Sequence, residues 1–184
     1  MKHFENTDLV EKQISSTSVF RGRLLDVYSD DIELPNGDKS KREYIRHVGA
    51  ACVVPITDDG KVIIEYQYRY PVARVMTEIP AGKREPGEEP FVTAQRELRE
   101  EIGATAGKWT ELGALIASPG CYGETLYLYL AQELTFGATH PDEDEFLDVL
   151  RMPFDQAVEQ CMRGELTDAK TVAALLKAKI LLKR

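Results

Sequence analysis

The stretch Gly82-Lys-Arg-Glu-Pro-Gly-Glu-Glu-Pro-Phe-Val-Thr-Ala-Gln-Arg-Glu-Leu-Arg-Glu-Glu-Ile-Gly-Ala104 passes from a glycine turn into a helix loaded with carboxylates. From Pro90 to Ile102 the apolar residues Phe91, Ala94, Leu98 and Ile102 recur at steps of three, four and four, the spacing of one buried helix face. Gly103 stops this helix as its C′ residue. At about 100° per residue, Glu97 and Glu101 fall one above the other on a flank of the apolar stripe, with Glu100 further round. Like charges at that spacing cost a helix roughly 0.2–0.5 kcal/mol per pair, so the two glutamates oppose the helix unless a cation sits between them. Mg²⁺ is the natural candidate: it prefers carboxylate oxygens, keeps several waters and is completed by substrate phosphates. The plainer alternative is a solvated acidic face with Arg96 pairing Glu100 at i,i+4, and helix spacing alone favours it.

The full pattern overturns that alternative. Gly82, Glu88, Arg96, Glu97, Leu98, Glu100, Glu101 and Gly103 stand at fixed intervals that resemble the Nudix box, G-x5-E-x7-R-E-U-x-E-E-x-G-U, where U is a bulky aliphatic residue. Only Ala104 departs, being smaller than the usual aliphatic, which bears on packing rather than on chemistry. Gln67-Tyr68-Arg69-Tyr70, Glu78-Ile79-Pro80-Ala81-Gly82, Ser118-Pro119-Gly120 with Glu124, and Asp168-Ala169-Lys170-Thr171 look like the ADP-ribose pyrophosphatase branch of that superfamily. Pro119, sixteen residues after Gly103, is placed as in ADP-ribose hydrolases rather than dinucleoside polyphosphate hydrolases. The resemblance covers most of the chain from residue 67 onward.

It implies an α/β protein with a mixed sheet, the Nudix α/β/α sandwich, carrying a small N-terminal antiparallel sheet that helps form a homodimer. It also implies Mg²⁺-dependent hydrolysis, with Mn²⁺ as a substitute, of ADP-ribose to AMP and ribose 5-phosphate. GDP-mannose, other nucleotide sugars and NADH stay open as substrates, and so does a module that senses ADP-ribose without cleaving it. The intact set of box glutamates favours the enzyme. Glu97 and Glu101 are the first metal ligands on this resemblance, with Glu100 and the backbone carbonyl of Ala81 behind them, and Arg96 orients the glutamates.

A carboxylate off the metal can accept the proton of the attacking water. In this branch it comes from an acidic loop after the long hairpin, here His140 to Glu145, with Glu143 the first choice and Glu145 behind it. A solvated loop is the alternative, and within the box Glu101 or Glu100 is the fallback base. Arg42 and Arg69 are phosphate or terminal-ribose ligands by resemblance, Arg42 reaching into the other subunit's site, though either suits a surface ion pair. Phe20 and Tyr28 are candidates for stacking the base, and Gly120 is a further substrate-binding candidate. Arg84 and Glu85 read as solvated loop.

Composition agrees with a compact enzyme. The 184 residues suit one main domain with a small appendage, divided here as an N-terminal sheet over 1–47 and a hydrolase domain over 48–184. A net charge of −8 argues against a long polyanion or an anionic membrane surface as partner. Cys52, Cys121 and Cys161 lie far apart without metal-ligand spacing, which fits a reduced cytoplasm. The N-terminus lacks the apolar core of an export signal, and no apolar run is long enough to span a bilayer.

Alternating residues predict strands over Ile14–Phe20, Leu24–Leu34 and Lys41–His47, the last two joined by a turn at Pro35-Asn36-Gly37-Asp38. The apolar run Ala51–Ile56 predicts a strand buried on both faces, followed by strands over Lys61–Tyr68 and Met76–Pro80. Lys108–Ile116, Glu124–Leu134 and Phe146–Arg151 predict further strands, and helices follow from Pro153 to before Gly164 and from Asp168 to Leu182, the latter with Thr167 as N-cap.

Overall fold

The computed structural model describes residues 9–139 and 146–183. It forms two compact units, one holding the N-terminal strands up to His47 together with Ser118–Glu124, the other Val48–Ala117 with Thr125–Arg184.

The first unit is an antiparallel sheet of β1 (Lys12–Arg21), β2 (Asp26–Glu33) and β3 (Lys39–Arg46), in that order. Gly37, at φ +88°, closes the β2–β3 turn, and its N–H donates to Leu34 C=O at 2.8 Å. Nothing local in the sequence shows that Ser118–Glu124 joins these strands. Ile45 N–H donates to Cys121 C=O at 2.8 Å, and Gly123 N–H donates to Ile45 C=O at 2.9 Å, so the loop adds itself to β3. Every residue of β1 is exposed.

The second unit is layered. β4 (Ala50–Pro55), β7 (Ala81–Lys83), β8 (Ala104–Ile116) and β9 (Thr125–Phe136) form a sheet in the order β7-β4-β9-β8. The β4–β9 pair is parallel and the other two are antiparallel. A second sheet, β10-β5-β6, joins β5 (Lys61–Arg69), β6 (Arg74–Glu78) and β10 (Leu147–Pro153). All of β4 is buried, because its alternate side chains enter two different cores. Ala50, Cys52 and Val54 pack with Phe154, Ala157 and Val158 of α2 (Phe154–Arg163) and Ala174, Leu175 and Ala178 of α3 (Ala169–Leu182). Ala51 and Val53 pack with Ala94, Leu98 and Ile102 of α1 (Pro90–Ile102). The expected α/β/α sandwich with a mixed sheet is therefore what the chain folds into. Ala104, the small residue at the end of the box, lies fully buried in the α1 core beside Tyr129.

Several expectations need correction. Phe91 is 39% exposed, because it sits in the first turn of α1 and reaches only the edges of Trp109 and Tyr129, with ring centroids 5.3 and 5.6 Å away. The N-cap of α3 is Asp168, whose carboxylate accepts Thr171 N–H, while Thr167 accepts from Arg74 Nη2 at 3.0 Å instead. β8 begins at Ala104 rather than Lys108, directly after the helix stop, and the three-residue β7 lies inside the glycine turn.

Candidate active site

The site is built where β7 meets α1. Proline at the first position and Gly103 at φ +65° bound the helix, with Gly103 N–H donating to Arg99 C=O at 3.0 Å. Two of its glutamates are buried, Glu97 at 7% and Glu101 at 4% exposure. The helix spacing placed them beside the apolar stripe; β7 covers that flank. Gly82 explains how: a Cβ there would fall inside the Glu97 carboxylate, so only glycine lets the strand and the acid approach. One residue earlier, Ala81 N–H donates to Glu101 Oε2 at 3.0 Å.

Arg96 fixes the rest. Its Nη1 donates to Glu97 Oε1 at 2.6 Å and to Glu100 Oε2 at 3.0 Å. Its Nε and Nη2 donate to the two oxygens of Glu88 at 3.1 and 3.2 Å, and Nη2 also reaches Lys83 C=O at 3.1 Å. Arg96 thus makes the i,i+4 pair with Glu100 and bonds Glu97 with the same nitrogen. Burial opposes the guanidinium charge, but the Glu88 bonds and the Glu97 charge outweigh it and raise its pKa. Glu88 is a member of the box to which sequence spacing gives no task. It anchors Arg96 from the far side while accepting Thr93 Oγ1 at 2.8 Å and Glu85 N–H at 3.0 Å, and the Arg96 bonds pull its pKa down to about 2.

Arg84 is not solvated loop. Its Nη1 donates to Val48 C=O at 3.0 Å, its Nε to Glu88 C=O at 2.9 Å, and its guanidinium carbon lies 5.5 Å from the centre of the Tyr127 ring. Lys83, Arg84 and Glu85 therefore form a hydrogen-bonded bracket behind Glu88.

The structure brings together Ala81, Arg96, Glu97, Glu100 and Glu101. Arg69 lies in the same unit, with Nε and Nη2 on the two oxygens of Glu78 at 2.7 and 2.8 Å. Arg42, Phe20, Tyr28 and Gly120 belong to the first unit. Arg42 pairs with Glu11. Tyr28 has Arg46 at 3.7 Å over its ring and stacks on Tyr44 with centroids 5.9 Å apart, whereas Phe20 is 55% exposed and Gly120 has open space around its Cα. Glu143 and Glu145 lie outside the described residues.

The donor set suits a hard divalent cation. Among the described residues no three acidic, histidine or cysteine side chains already converge as a metal shell. Two buried carboxylates one turn apart, beside a strand whose backbone one of them grips, are nevertheless the sparse protein contribution that Mg²⁺ takes when phosphates and water supply the rest. Glu100, half-exposed and held by Arg96, is the weaker candidate.

A short strand whose glycine lies against a glutamate-bearing helix, inside an α/β/α domain, presents carboxylates of the kind that suit a divalent cation, and comparison with known families gives the class of the chain. The family model described as NUDIX domain matches residues 45–175, and the chain belongs to that family. A second model, described as nucleoside diphosphate sugar hydrolase N-terminal domain, matches residues 11–45. The chain is 45% identical over 169 residues, 91% of each protein, to an ADP-ribose pyrophosphatase of Bacillus subtilis. It is 42% identical to a methanol dehydrogenase activator of Bacillus methanolicus, over 90% of each. A crystal structure of an ADP compounds hydrolase superposes with a TM-score of 0.85 at 29% identity, covering 95% of this chain and 96% of that one.

Proposed function

We propose that the chain hydrolyses the pyrophosphate bond of ADP-ribose, giving AMP and ribose 5-phosphate, with Mg²⁺ or in its place Mn²⁺ as cofactor. The observation that carries this is the pair Glu97 and Glu101, buried against Ala81 and Gly82 with Arg96 fixing the first of them. The relatives named above as an ADP-ribose pyrophosphatase and an ADP compounds hydrolase support the choice of an ADP derivative.

Glu97 and Glu101, helped by Glu100 and the Ala81 carbonyl, hold the cation. When bound, it neutralises phosphate charge and lowers the pKa of a water. Arg96 keeps Glu97 aimed, since its fork is spread over three carboxylates and cannot swing toward substrate. Arg69, fixed by Glu78 with part of its side chain exposed, presents a cation to a phosphate or terminal ribose, and Arg42 does the same from the N-terminal sheet. Phe20 is the better base-stacking candidate of the two aromatics, because the ring of Tyr28 already carries Arg46. Gly120 leaves room for substrate beside its backbone. Glu143 takes the proton of the attacking water.

The working form is a homodimer in a reducing cytoplasm. The fully exposed β1 and the three free cysteines support these two points. No helix among the described residues is long and apolar enough to cross a membrane.

A panel of ADP-ribose, GDP-mannose, NADH, diadenosine polyphosphates and 8-oxo-dGTP, each incubated with Mg²⁺ and scored for product identity, tests the reading. AMP with ribose 5-phosphate as the fastest products is expected. Preferential cleavage of GDP-mannose or NADH moves the substrate, and tight binding of ADP-ribose without turnover makes the chain a sensor.

A further inference from the structure

Asp168-Ala169-Lys170-Thr171 opens α3 and has no part in the chemistry above, yet its polar side chains converge on one strand segment. Lys170 Nζ pairs with Glu78, which also carries the Arg69 fork, and with Asp168 Oδ2 at 3.0 Å. Thr171 is fully buried. Its Oγ1 accepts Ile79 N–H at 2.9 Å and donates to Asp168 Oδ2 at 2.6 Å. The next two residues are held from elsewhere: Pro80 C=O accepts Val53 N–H at 2.9 Å, and Ala81 N–H donates to Glu101 Oε2. Residues 78 to 81 are thus each gripped by a different partner, and the last grip is on a carboxylate assigned to the cation.

We propose that the first turn of α3 is a positioning element for the cation site, with Lys170 and Thr171 clamping Glu78 and Ile79 so that Ala81 holds the Glu101 carboxylate in place. The proposal rests on the hydrolase reading. Its physics is the short, stiff link: only Pro80, with φ locked by its ring, separates Ile79 from Ala81, so a shift of one is passed to the other. Without the Thr171 hydroxyl, Ile79 N–H is a buried donor lacking its acceptor, and the segment relieves this by moving.

The test is Mn²⁺ binding, read from the electron paramagnetic resonance of the free ion, alongside ADP-ribose kinetics and melting curves. Wild type should bind Mn²⁺ and Glu101→Gln should bind it far more weakly. Groups that orient metal ligands are worth about 10- to 100-fold in affinity, so Thr171→Val should weaken Mn²⁺ binding by at least about 10-fold and lower kcat, with KM for ADP-ribose changed much less. Thr171→Ser, which keeps the hydroxyl, should restore both. If Thr171→Val melts lower but keeps wild-type Mn²⁺ affinity and kcat below its melting temperature, the contact is structural only and the inference is overturned. Should Thr171→Val fail to fold, Lys170→Met decides, since it frees Glu78 from α3 while leaving Arg69 in place. Weakened Mn²⁺ binding there supports the clamp, and wild-type affinity overturns it. Mn²⁺ binding indifferent to Glu101→Gln removes Glu101 from the cation site and overturns this inference, whereas failure of the hydrolase reading itself is read from the absence of ADP-ribose products in wild type.

Discussion

Arg96 touches Glu88, Glu97, Glu100 and the Lys83 carbonyl with one planar group, so three carboxylates at the start and middle of the box share one cation. Glu97 shares that cation, whereas Glu101 has the Ala81 N–H. Replacing either by glutamine keeps an oxygen acceptor of the same size, so Glu97→Gln and Glu101→Gln should fold normally and melt close to wild type. Each should lose orders of magnitude in Mg²⁺-supported kcat, because an amide is a poor ligand for a hard cation. Near wild-type turnover in both would remove them from the cation site.

Acid sensitivity belongs to the same scale. Burial pushes the Glu78 carboxyl up, but Arg69 and Lys170 overcome this and bring it to about 2, and Glu88 also lies at about 2, against an ordinary 4.5. In both, the folded value is below the unfolded one, so the unfolded chain binds protons more readily. Their contribution is complete above about pH 4.5 and disappears as the pH falls toward 2. Denaturant titrations from pH 7 downward should show that decline, and Glu78→Gln, whatever it costs at pH 7, should make it shallower.

At the scale of elements, α1 ends on a residue with no room for a side chain. Gly103 is left-handed, and a Cβ on it would sit 2.7 Å from the Gly137 carbonyl oxygen. Gly103→Ala should cost more than the roughly 1 kcal/mol of the conformation alone, measured as a lower denaturation midpoint. The acidic stretch of sequence from His140 to Glu145 carries the other prediction. Glu143→Gln should lower kcat strongly while leaving KM and Mg²⁺ dependence nearly unchanged, with Glu145→Gln as control; two silent variants would return the base to Glu101 or Glu100.

What could be read from the sequence follows the range of each interaction. The limits of α1 and its glycine stop come from neighbours within four residues, and the burial of β4 from an unbroken apolar run, so both were legible. The three-residue β7 gives no periodicity, and its partner β4 is about thirty residues away in the chain. Glu78 meets Lys170, and Ile79 meets Thr171, each across 92 residues, and no local spacing encodes that. Arg84 looked solvated because its partners are backbone carbonyls, which leave no mark in the sequence. Burial of Glu97 is hidden for a related reason: a glutamate reads as exposed until a distant strand covers it, here at the glycine of β7.

For the whole molecule, β1 presents Ile14, Val19 and Phe20 to solvent along a strand with no buried residue. A three-stranded sheet without a covering helix is too small to be stable by itself. A second copy of the chain is the expected partner, and light scattering at micromolar concentration should give a dimer. Removal of residues 1–23 should give a monomer, and a full-length monomer would refute the assembly.

The parallel pairing of β4 with β9 also governs how the chain comes to be folded. Ala50 faces Leu126 and Pro55 faces Ala131, so the central sheet cannot close until the long β8–β9 hairpin exists. A growing chain leaving the ribosome must carry the fully apolar Ala51–Val54 run through some seventy further residues before its parallel neighbour β9 is made, with only the three-residue β7 available on its other edge in the meantime, and closing so long a loop costs entropy. During that interval the strand is a sticky edge open to other nascent chains. The yield in the cell should therefore respond to synthesis speed and chaperone cover over residues 50 to 131, well before any cation or nucleotide is met.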